Sequence, residues 1–133
     1  MGNQAILTFN NISKNYGDLL ALDNVSFDIP QNSIYGILGP NGSGKSTLMR
    51  ILANLILDYS GSIIFENEEI NSNSKKAISS FGFLIENPSF YEFLSAKQNL
   101  EILSKISNVT QDKIEEVLYL VNLFNRRDDK VQA

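Results

Sequence analysis

Hydrophobic and polar residues alternate in two segments near the start of the chain, residues 6–11 and residues 25–29. A repeat with a period of two predicts strands that bury one face. The turn-forming residues 14–18 separate the two segments, and Pro30 ends the second one. The pattern therefore predicts an antiparallel sheet at the N-terminus.

The middle of the chain combines apolar runs with one helical repeat. Residues 34–38 and 81–85 are apolar on both faces, which is typical of strands buried in a parallel sheet between helices. Residues 63–65 predict one further strand. We therefore expect a central parallel sheet with a helix after residue 45. The apolar face of that helix is formed by Leu48, Ile51, Leu52 and Leu55.

Helical spacing resumes after Pro88, which biases the preceding residue away from helix. The capping box Ser95-x-x-Gln98 predicts the start of one helix, and Thr110 predicts the cap of a second. Strands that alternate with helices place the chain in the α/β class. The predicted buried face of the last helix contains Ile114, Val117, Leu118 and Val121.

Residues 39–47 match the phosphate-loop pattern Gly-x-x-x-x-Gly-Lys-Ser/Thr at every fixed position. The match lies between a predicted strand and a predicted helix, which is the context that the motif requires. Glycines let successive backbone N–H groups turn toward one point, and the helix N-terminus adds unpaired donors and a partial positive charge. The predicted nucleotide-binding residues are Gly39, Pro40, Asn41, Gly42, Ser43, Gly44, Lys45, Ser46 and Thr47.

Three side chains of this loop have distinct expected contacts. We expect Lys45 to reach the β- and γ-phosphates as a compact cation and Ser46 to offer its hydroxyl to Mg²⁺. Thr47 is expected near the α-phosphate. The alternative is a glycine-rich turn without a ligand, and the flanking strand and helix argue against it.

Composition limits the chemistry that these residues can support. The chain has 133 residues, no histidine and no cysteine. One domain is therefore expected, and histidine bases, Ser-His-Asp triads, disulfides and thiolate metal sites are excluded. Any hydrolysis would depend on carboxylates, lysine, metal or backbone groups. The net charge of −4 and the lack of a basic run longer than Arg126-Arg127 argue against a nucleic-acid partner.

The sequence carries no recognisable membrane signal. Its first residues lack the basic and apolar regions of a signal peptide. The most apolar stretch, residues 48–57, is too short to span a bilayer. We therefore expect a cytoplasmic chain that reaches a membrane only through a partner.

Several segments together resemble the ATP-binding subunits of ABC transporters. The segments are Asp23–Ile29, Gly36–Leu38, Gly39–Thr47 and Gly61–Ile63. The resemblance extends over nearly the whole chain, and residues 83–91 further resemble the branch that exports bacitracin and lantibiotic-type peptides. It implies an α/β fold with a P-loop NTPase-type core and an N-terminal antiparallel sheet. Residues 1–87 would form the ATP-binding core, and residues 88–133 would begin the helical subdomain.

The same resemblance implies roles for two residues outside the loop. Tyr16 is similar to the family's aromatic residue that stacks on adenine, and an aromatic face accepts a base without a hydrogen bond. Glu86 stands where most members have a glutamine that touches Mg²⁺ and the attacking water, and a carboxylate also binds Mg²⁺ or its water. The implied cofactors are ATP and Mg²⁺. Lys45 and Glu86 are the implied catalytic residues, with Ser46 and Glu86 at the metal.

The family's Leu-Ser-Gly-Gly-Gln-type signature and its second carboxylate strand do not occur in this sequence. We therefore interpret the chain as the N-terminal part of an ABC-type nucleotide-binding domain. It is expected to bind Mg·ATP but to lack the groups needed to hydrolyse it alone. The implied partners are a transmembrane permease subunit, which holds the chain at the inner face of the cell membrane, and a second nucleotide-binding subunit, which dimerises with it on ATP binding.

The residues leave two alternatives open. Four apolar residues followed by Glu86 also describe the magnesium-site carboxylate of phosphate-loop enzymes in general, and the chain would then be a small stand-alone NTPase or kinase. Residues 125–128 weakly resemble the guanine-reading motif of GTPases, but the helical spacing before them favours a solvated helix end. The second alternative is a module that binds nucleotide without turnover.

Overall fold

The fold is given by a computed structural model. It describes residues 4–71, 73–85, 90–107 and 109–132. The chain divides into two compact units, Met1–Asn87 and Pro88–Ala133. In the described residues, the sheet and the loop of residues 39–47 belong to the first unit.

Where the structure describes it, the first unit contains four strands. They are β1 (Ala5–Tyr16), β2 (Leu19–Pro30), β3 (Ser60–Phe65) and β4 (Glu68–Ile70). They form one sheet in the order β2-β1-β3-β4, and every neighbouring pair is antiparallel. The predicted N-terminal antiparallel sheet is thus confirmed. The predicted turn at residues 14–18 is too long, because β1 continues to Tyr16 and only Gly17 and Asp18 form the turn.

The hairpin of β1 and β2 bends at two asparagines. Asn11 and Asn24 have φ values of 51° and 50°, in a left-handed region that asparagine tolerates better than most residues. The Asn11 side-chain amide donates to Asn24 Oδ1 at 2.6 Å. The register shifts between Phe9 and Ile12 at this point, as a β-bulge requires. Beyond the bend, the two strands remain paired up to the turn.

Helix α1 (Lys45–Leu52) forms the second layer of the core. Leu48, Ile51 and Leu52 are buried, as their spacing predicts. Leu55 was expected on the same face, but it is 69% exposed, because Asn54 adopts a left-handed φ of 59° and ends the helix before it. The three buried side chains of α1 form one cluster with side chains of the sheet, and this cluster fixes the start of α1 relative to the sheet. The sheet members of the cluster are Leu7, Phe9, Ile12, Leu22, Ile63 and Ile70.

The predicted central parallel sheet does not form in the described structure. Residues 33–40 and 81–85 contain no strand, and the Ile34 and Leu38 side chains are 105% and 95% exposed. A buried parallel strand needs hydrogen-bonded neighbours. No strand among the described residues pairs with either segment. Phe81 and Phe83 still pack against the core as partly buried side chains.

In its described residues, the second unit contains two α-helices and one short 3-10 helix. They are α3 (Ala96–Ser107), α4 (Gln111–Leu120) and Phe124–Arg126, whereas α2 (Lys75–Ser79) belongs to the first unit. The predicted capping box is confirmed. Ser95 Oγ accepts from the Gln98 amide at 3.2 Å, and Gln98 Oε1 accepts from the Ser95 amide at 3.0 Å. Thr110 occupies the cap position of α4 but makes no side-chain capping hydrogen bond.

Helix α4 buries only part of its predicted face. Ile114 and Leu118 are buried, whereas Val117 and Val121 are 44% and 52% exposed. Two of the four predicted positions are therefore wrong, because they border an open apolar groove instead of a packed neighbour. Across the described ranges, no helix has the length and apolarity needed to cross a membrane.

Candidate functional site

The predicted phosphate loop leads directly into α1. The helix begins at Lys45, and Gly44 is its N-terminal cap residue. Gly42 and Gly44 have φ values of 84° and 90°, a backbone conformation that residues with a Cβ rarely adopt. The Ser43 amide donates to the Pro40 carbonyl at 3.2 Å. The loop therefore has the tight turn that its glycine spacing predicts.

Gly44 is also the point at which the loop meets the hairpin. A Cβ atom at this position would lie 2.5 Å from the Ala21 carbonyl oxygen and 2.7 Å from Leu22 Cδ2. Both neighbours belong to β2, close to the turn at Gly17 and Asp18. Only a glycine allows the loop backbone to approach the hairpin this closely.

Lys45 folds its side chain back over the loop. Its ammonium nitrogen donates to the Gly39 and Pro40 carbonyl oxygens, each at 2.8 Å, and lies 3.3 Å from Ser43 Oγ. These bonds satisfy the three donors of the ammonium group. They also hold a positive charge against the loop at the place where the motif predicts phosphate.

The start of α1 adds further positive potential. The helix has no acidic residue in its first turn and no side-chain capping hydrogen bond. Its first N–H groups therefore lack an acceptor within the helix and from a capping side chain, and the helix dipole places a partial positive charge there. A helix end of this kind is favourable for an anion.

The metal role predicted for Ser46 has a simple structural basis. Ser46 lies in the first turn of α1 and is exposed, so its hydroxyl can reach a ligand in solvent. Mg²⁺ in nucleotide sites is bound by few protein groups together with phosphate oxygens and waters. Over the described parts of the chain, no group of three or more acidic side chains gathers at one point. Among the described residues, Ser46 is therefore the predicted ligand whose position can be stated.

An apolar wall supports the segment that enters the loop. The Tyr35 ring stacks on Phe27 of β2 with centroids 5.5 Å apart, and Phe27 stacks on Phe9 at 4.5 Å. Between this segment, β2 and the start of α1 lies a cavity of about 470 Å³, open on one side. The stack anchors the loop before Gly39, and α1 anchors it after Lys45.

Tyr16 lies at the end of β1, opposite Leu19. Its side chain is 46% exposed, and it belongs to the same hairpin that contacts Gly44 through Ala21 and Leu22. The structure therefore brings the hairpin end that carries Tyr16 together with the phosphate loop. Glu86 was predicted as a catalytic and metal-binding residue, but it lies outside the described residues.

Sequence reasoning missed Lys14. It was included in a turn, but it is a residue of β1 with a side chain only 7% exposed. Its ammonium lies 3.0 Å from Asp58 Oδ2 and 5.0 Å from the centroid of the Tyr16 ring. The signal was the alternation itself, since Ile12, Lys14 and Tyr16 continue the period of two.

A family model for ABC transporters matches residues 22–133 of the chain. The match includes most of β2, the phosphate loop, α1 and the second unit, and it begins after Tyr16.

Two relatives are similar over most of the chain. The lantibiotic transport ATP-binding protein SrtF of Streptococcus pyogenes is 39% identical over 120 residues, which are 90% of this chain and 51% of the relative. The bacitracin transport ATP-binding protein BcrA of Bacillus licheniformis is 37% identical over 119 residues, which are 89% of this chain and 39% of the relative. The chain therefore spans about half or less of the length of these curated relatives.

The same family is found among solved structures. The ADP conformation of an ATP-binding cassette of an ABC transporter is similar with a TM-score of 0.76 and 27% identity, over 97% of this chain and 58% of that chain. The predicted α/β fold of the P-loop type is thus confirmed. The matched family model, the two relatives and the fold all lead to one conclusion: this chain belongs to the ABC transporter family.

Proposed function

We propose that the chain is the nucleotide-binding part of the ATP-binding subunit of an ABC exporter. The observation that carries the proposal is the phosphate loop at the start of α1, where Gly44 lies against the hairpin and the Lys45 ammonium is held over the loop. Loop, helix N-terminus and lysine together form a cradle for a polyanion. The exposed Tyr16 at the end of the same hairpin supports a base-stacking site beside that cradle.

Each site residue then has a distinct task. Lys45 exchanges its carbonyl partners for the β- and γ-phosphates, which are stronger acceptors because they are charged. Ser46 contributes its hydroxyl to Mg²⁺, and Tyr16 stacks on adenine. Glu86, which lies outside the described residues, is proposed to contact the magnesium ion or its water. Bound Mg²⁺ would supply charge neutralisation at the phosphates.

We further propose that these 133 residues alone bind Mg·ATP without turnover. Phosphoryl transfer depends on positioned groups around the γ-phosphate, and the sequence contains neither the family's signature nor its second carboxylate strand. In the complete transporter, a second nucleotide-binding subunit and a transmembrane permease are the proposed partners. The chain would then lie at the inner face of the membrane. The printed roles of the relatives, lantibiotic and bacitracin transport, support peptide-antibiotic export as the proposed cargo class.

The direct test is binding of Mg·ATP by the Lys45→Ala variant. Removing the ammonium removes a charge-assisted contact to phosphate, and we expect the dissociation constant to rise at least about tenfold. Folding should be preserved, because the Gly39 and Pro40 carbonyls lie at the surface and can bind water instead. Isothermal titration calorimetry measures the change.

Lys113→Ala is a matched control, because it removes one positive charge from an exposed side chain of α4. It should leave the affinity unchanged. Equal affinities of Lys45→Ala and the unchanged chain would refute the cradle. Tighter binding of GTP than of ATP would refute base stacking on Tyr16. Steady ATP hydrolysis by the pure chain would contradict the proposal of binding without turnover and favour the stand-alone NTPase.

A further inference from the structure

Lys14 is a buried lysine with two partners. Lysine is rarely buried unless its charge is paired, and the Lys14 side chain is only 7% exposed. Its ammonium donates to Asp58 Oδ2 at 3.0 Å, and it lies over the Tyr16 ring at 5.0 Å from the centroid. The distance to the ring is within the range of a cation–π contact.

The location of Lys14 links this contact to the phosphate loop. Lys14 and Tyr16 are two residues apart on β1, and side chains at that spacing point to the same face of a strand. Lys14 is paired across the hairpin with Leu22, and Leu22 lies against Gly44. The lysine therefore connects the exposed aromatic ring to the part of the hairpin that contacts the loop.

Asp58 holds the ammonium from another part of the chain. It lies between α1 and β3, and its own side chain is 100% exposed. Because Asp58 is fully exposed, solvent screens its attraction for the ammonium. The pair is therefore better explained by the orientation that it gives to the ammonium, and through it to the ring, than by the energy of the pair itself.

The contact has a consequence for the two faces of the ring. The ammonium covers one face of Tyr16, while the side chain as a whole remains 46% exposed. This exposure leaves part of the residue accessible to a ligand. A ring that is already oriented loses less conformational freedom when a base stacks on it, and such preorganisation increases affinity.

We propose that Lys14 is a positioning residue for the nucleobase. Its ammonium, tethered by Asp58, fixes the Tyr16 ring so that the opposite face accepts adenine. The inference rests on the proposed function, because base stacking on Tyr16 is part of that proposal. Lys14 acts through Tyr16 and does not itself touch the nucleotide.

The experiment compares two ligands on the 133-residue chain, Mg·ATP and magnesium with inorganic triphosphate. The readout is the affinity for Mg·ATP divided by the affinity for magnesium with triphosphate, because only ATP carries a base. Loss of the Lys14 charge weakens the binding of both polyanions, and it weakens triphosphate at least as much as ATP, because inorganic triphosphate carries at least as many negative charges. This effect alone therefore does not lower the affinity for ATP relative to that for triphosphate. Lys14→Met should lower the ratio about threefold, the size expected of one cation–π contact. Lys14→Arg, which retains a cation over the ring, should keep it.

A double variant separates positioning from a merely structural role. If Lys14 acts through the ring, Lys14→Met should not lower the ratio further in the Tyr16→Ala background. Asp58→Ala should lower the ratio about twofold by releasing the ammonium, and it should fold normally because Asp58 is exposed. Glu68→Ala is its matched control, since it removes an exposed carboxylate from β4, two strands away from β1.

The outcomes are distinguishable from failure of the proposed function. If Tyr16→Ala leaves the ratio unchanged, base stacking itself fails. If Tyr16→Ala lowers the ratio while Lys14→Met does not, only the positioning role is overturned. The positioning role is also overturned if Lys14→Met lowers the ratio equally in the unchanged chain and in the Tyr16→Ala background. If Lys14→Met unfolds the chain, the Asp58→Ala variant tests the positioning role instead. An unchanged ratio in Asp58→Ala would overturn the inference.

Discussion

Substitution of Gly44 by alanine tests whether the phosphate loop and the hairpin meet as described. The φ of Gly44 is +90°, and an added methyl group would lie 2.5 Å from the Ala21 carbonyl oxygen. The same methyl group would lie 2.7 Å from Leu22 Cδ2. Both separations are far below the optimum for non-bonded heavy atoms. Either the loop or the backbone of β2 must therefore move.

The expected loss of folding stability is the sum of two unfavourable terms, reduced by one favourable term. A left-handed backbone costs a residue with a Cβ about 1–2 kcal/mol, and forcing a methyl group into a filled space adds about 1–3 kcal/mol. The lower entropy of the unfolded alanine chain offsets about 0.4–1 kcal/mol. We expect a net loss of about 2–4 kcal/mol, a large share of the roughly 5–15 kcal/mol that stabilise a typical domain.

Urea denaturation followed by circular dichroism measures this loss, and two other glycines provide controls. Gly42 has a φ of +84° with nothing within 4 Å of an added Cβ, so its alanine variant should lose only about 1 kcal/mol from backbone strain. Gly36 has neither a positive φ nor a close neighbour, and its variant should stay within about 0.5 kcal/mol. A Gly44→Ala chain as stable as Gly42→Ala would show that the hairpin does not lie against the loop.

Two further predictions concern stability. Burial and, to a lesser extent, the charge of Glu69 raise the pKa of Tyr59 above its ordinary value of 10.0. The stability that the protonated Tyr59 phenol contributes is therefore complete below about pH 10 and is lost as pH rises through the raised pKa. Tyr59→Phe should therefore show a smaller alkaline fall in thermal midpoint, and identical pH profiles would contradict the burial. Ser95→Ala removes the capping box with Gln98 and should cost about 1 kcal/mol in the unfolding of the second unit, whereas an unchanged transition would mean that the cap is not formed.

The sequence could predict those parts of the fold whose signals are local. Alternation identified the hairpin strands, helical spacing identified the buried face of α1, and Ser95-x-x-Gln98 identified the start of α3. The turn of the phosphate loop also follows from its own glycines. These features depend on neighbours within a few residues, so one segment is enough to specify them.

Other features depend on contacts that no single segment encodes. Residues 34–38 and 81–85 are apolar enough for buried strands, but strand formation requires a paired neighbour, which the described residues do not supply. Lys14 was assigned to a turn because lysine, asparagine and glycine cluster there. Its contact with Asp58, 44 residues later in the chain, depends on the tertiary structure. The approach of Gly44 to β2 likewise requires the tertiary structure.

The central claim is that the backbone around Lys45 binds the polyphosphate of a nucleotide, and amide chemical shifts of the isotopically labelled chain test it most directly. On titration with Mg·ATP, the account predicts that the largest changes occur at the amides of residues 42–47, whose N–H groups form the loop and the first turn of α1. Magnesium with inorganic triphosphate should produce the same changes in this segment. Amides of residues 42–47 that do not respond to saturating Mg·ATP would contradict the account.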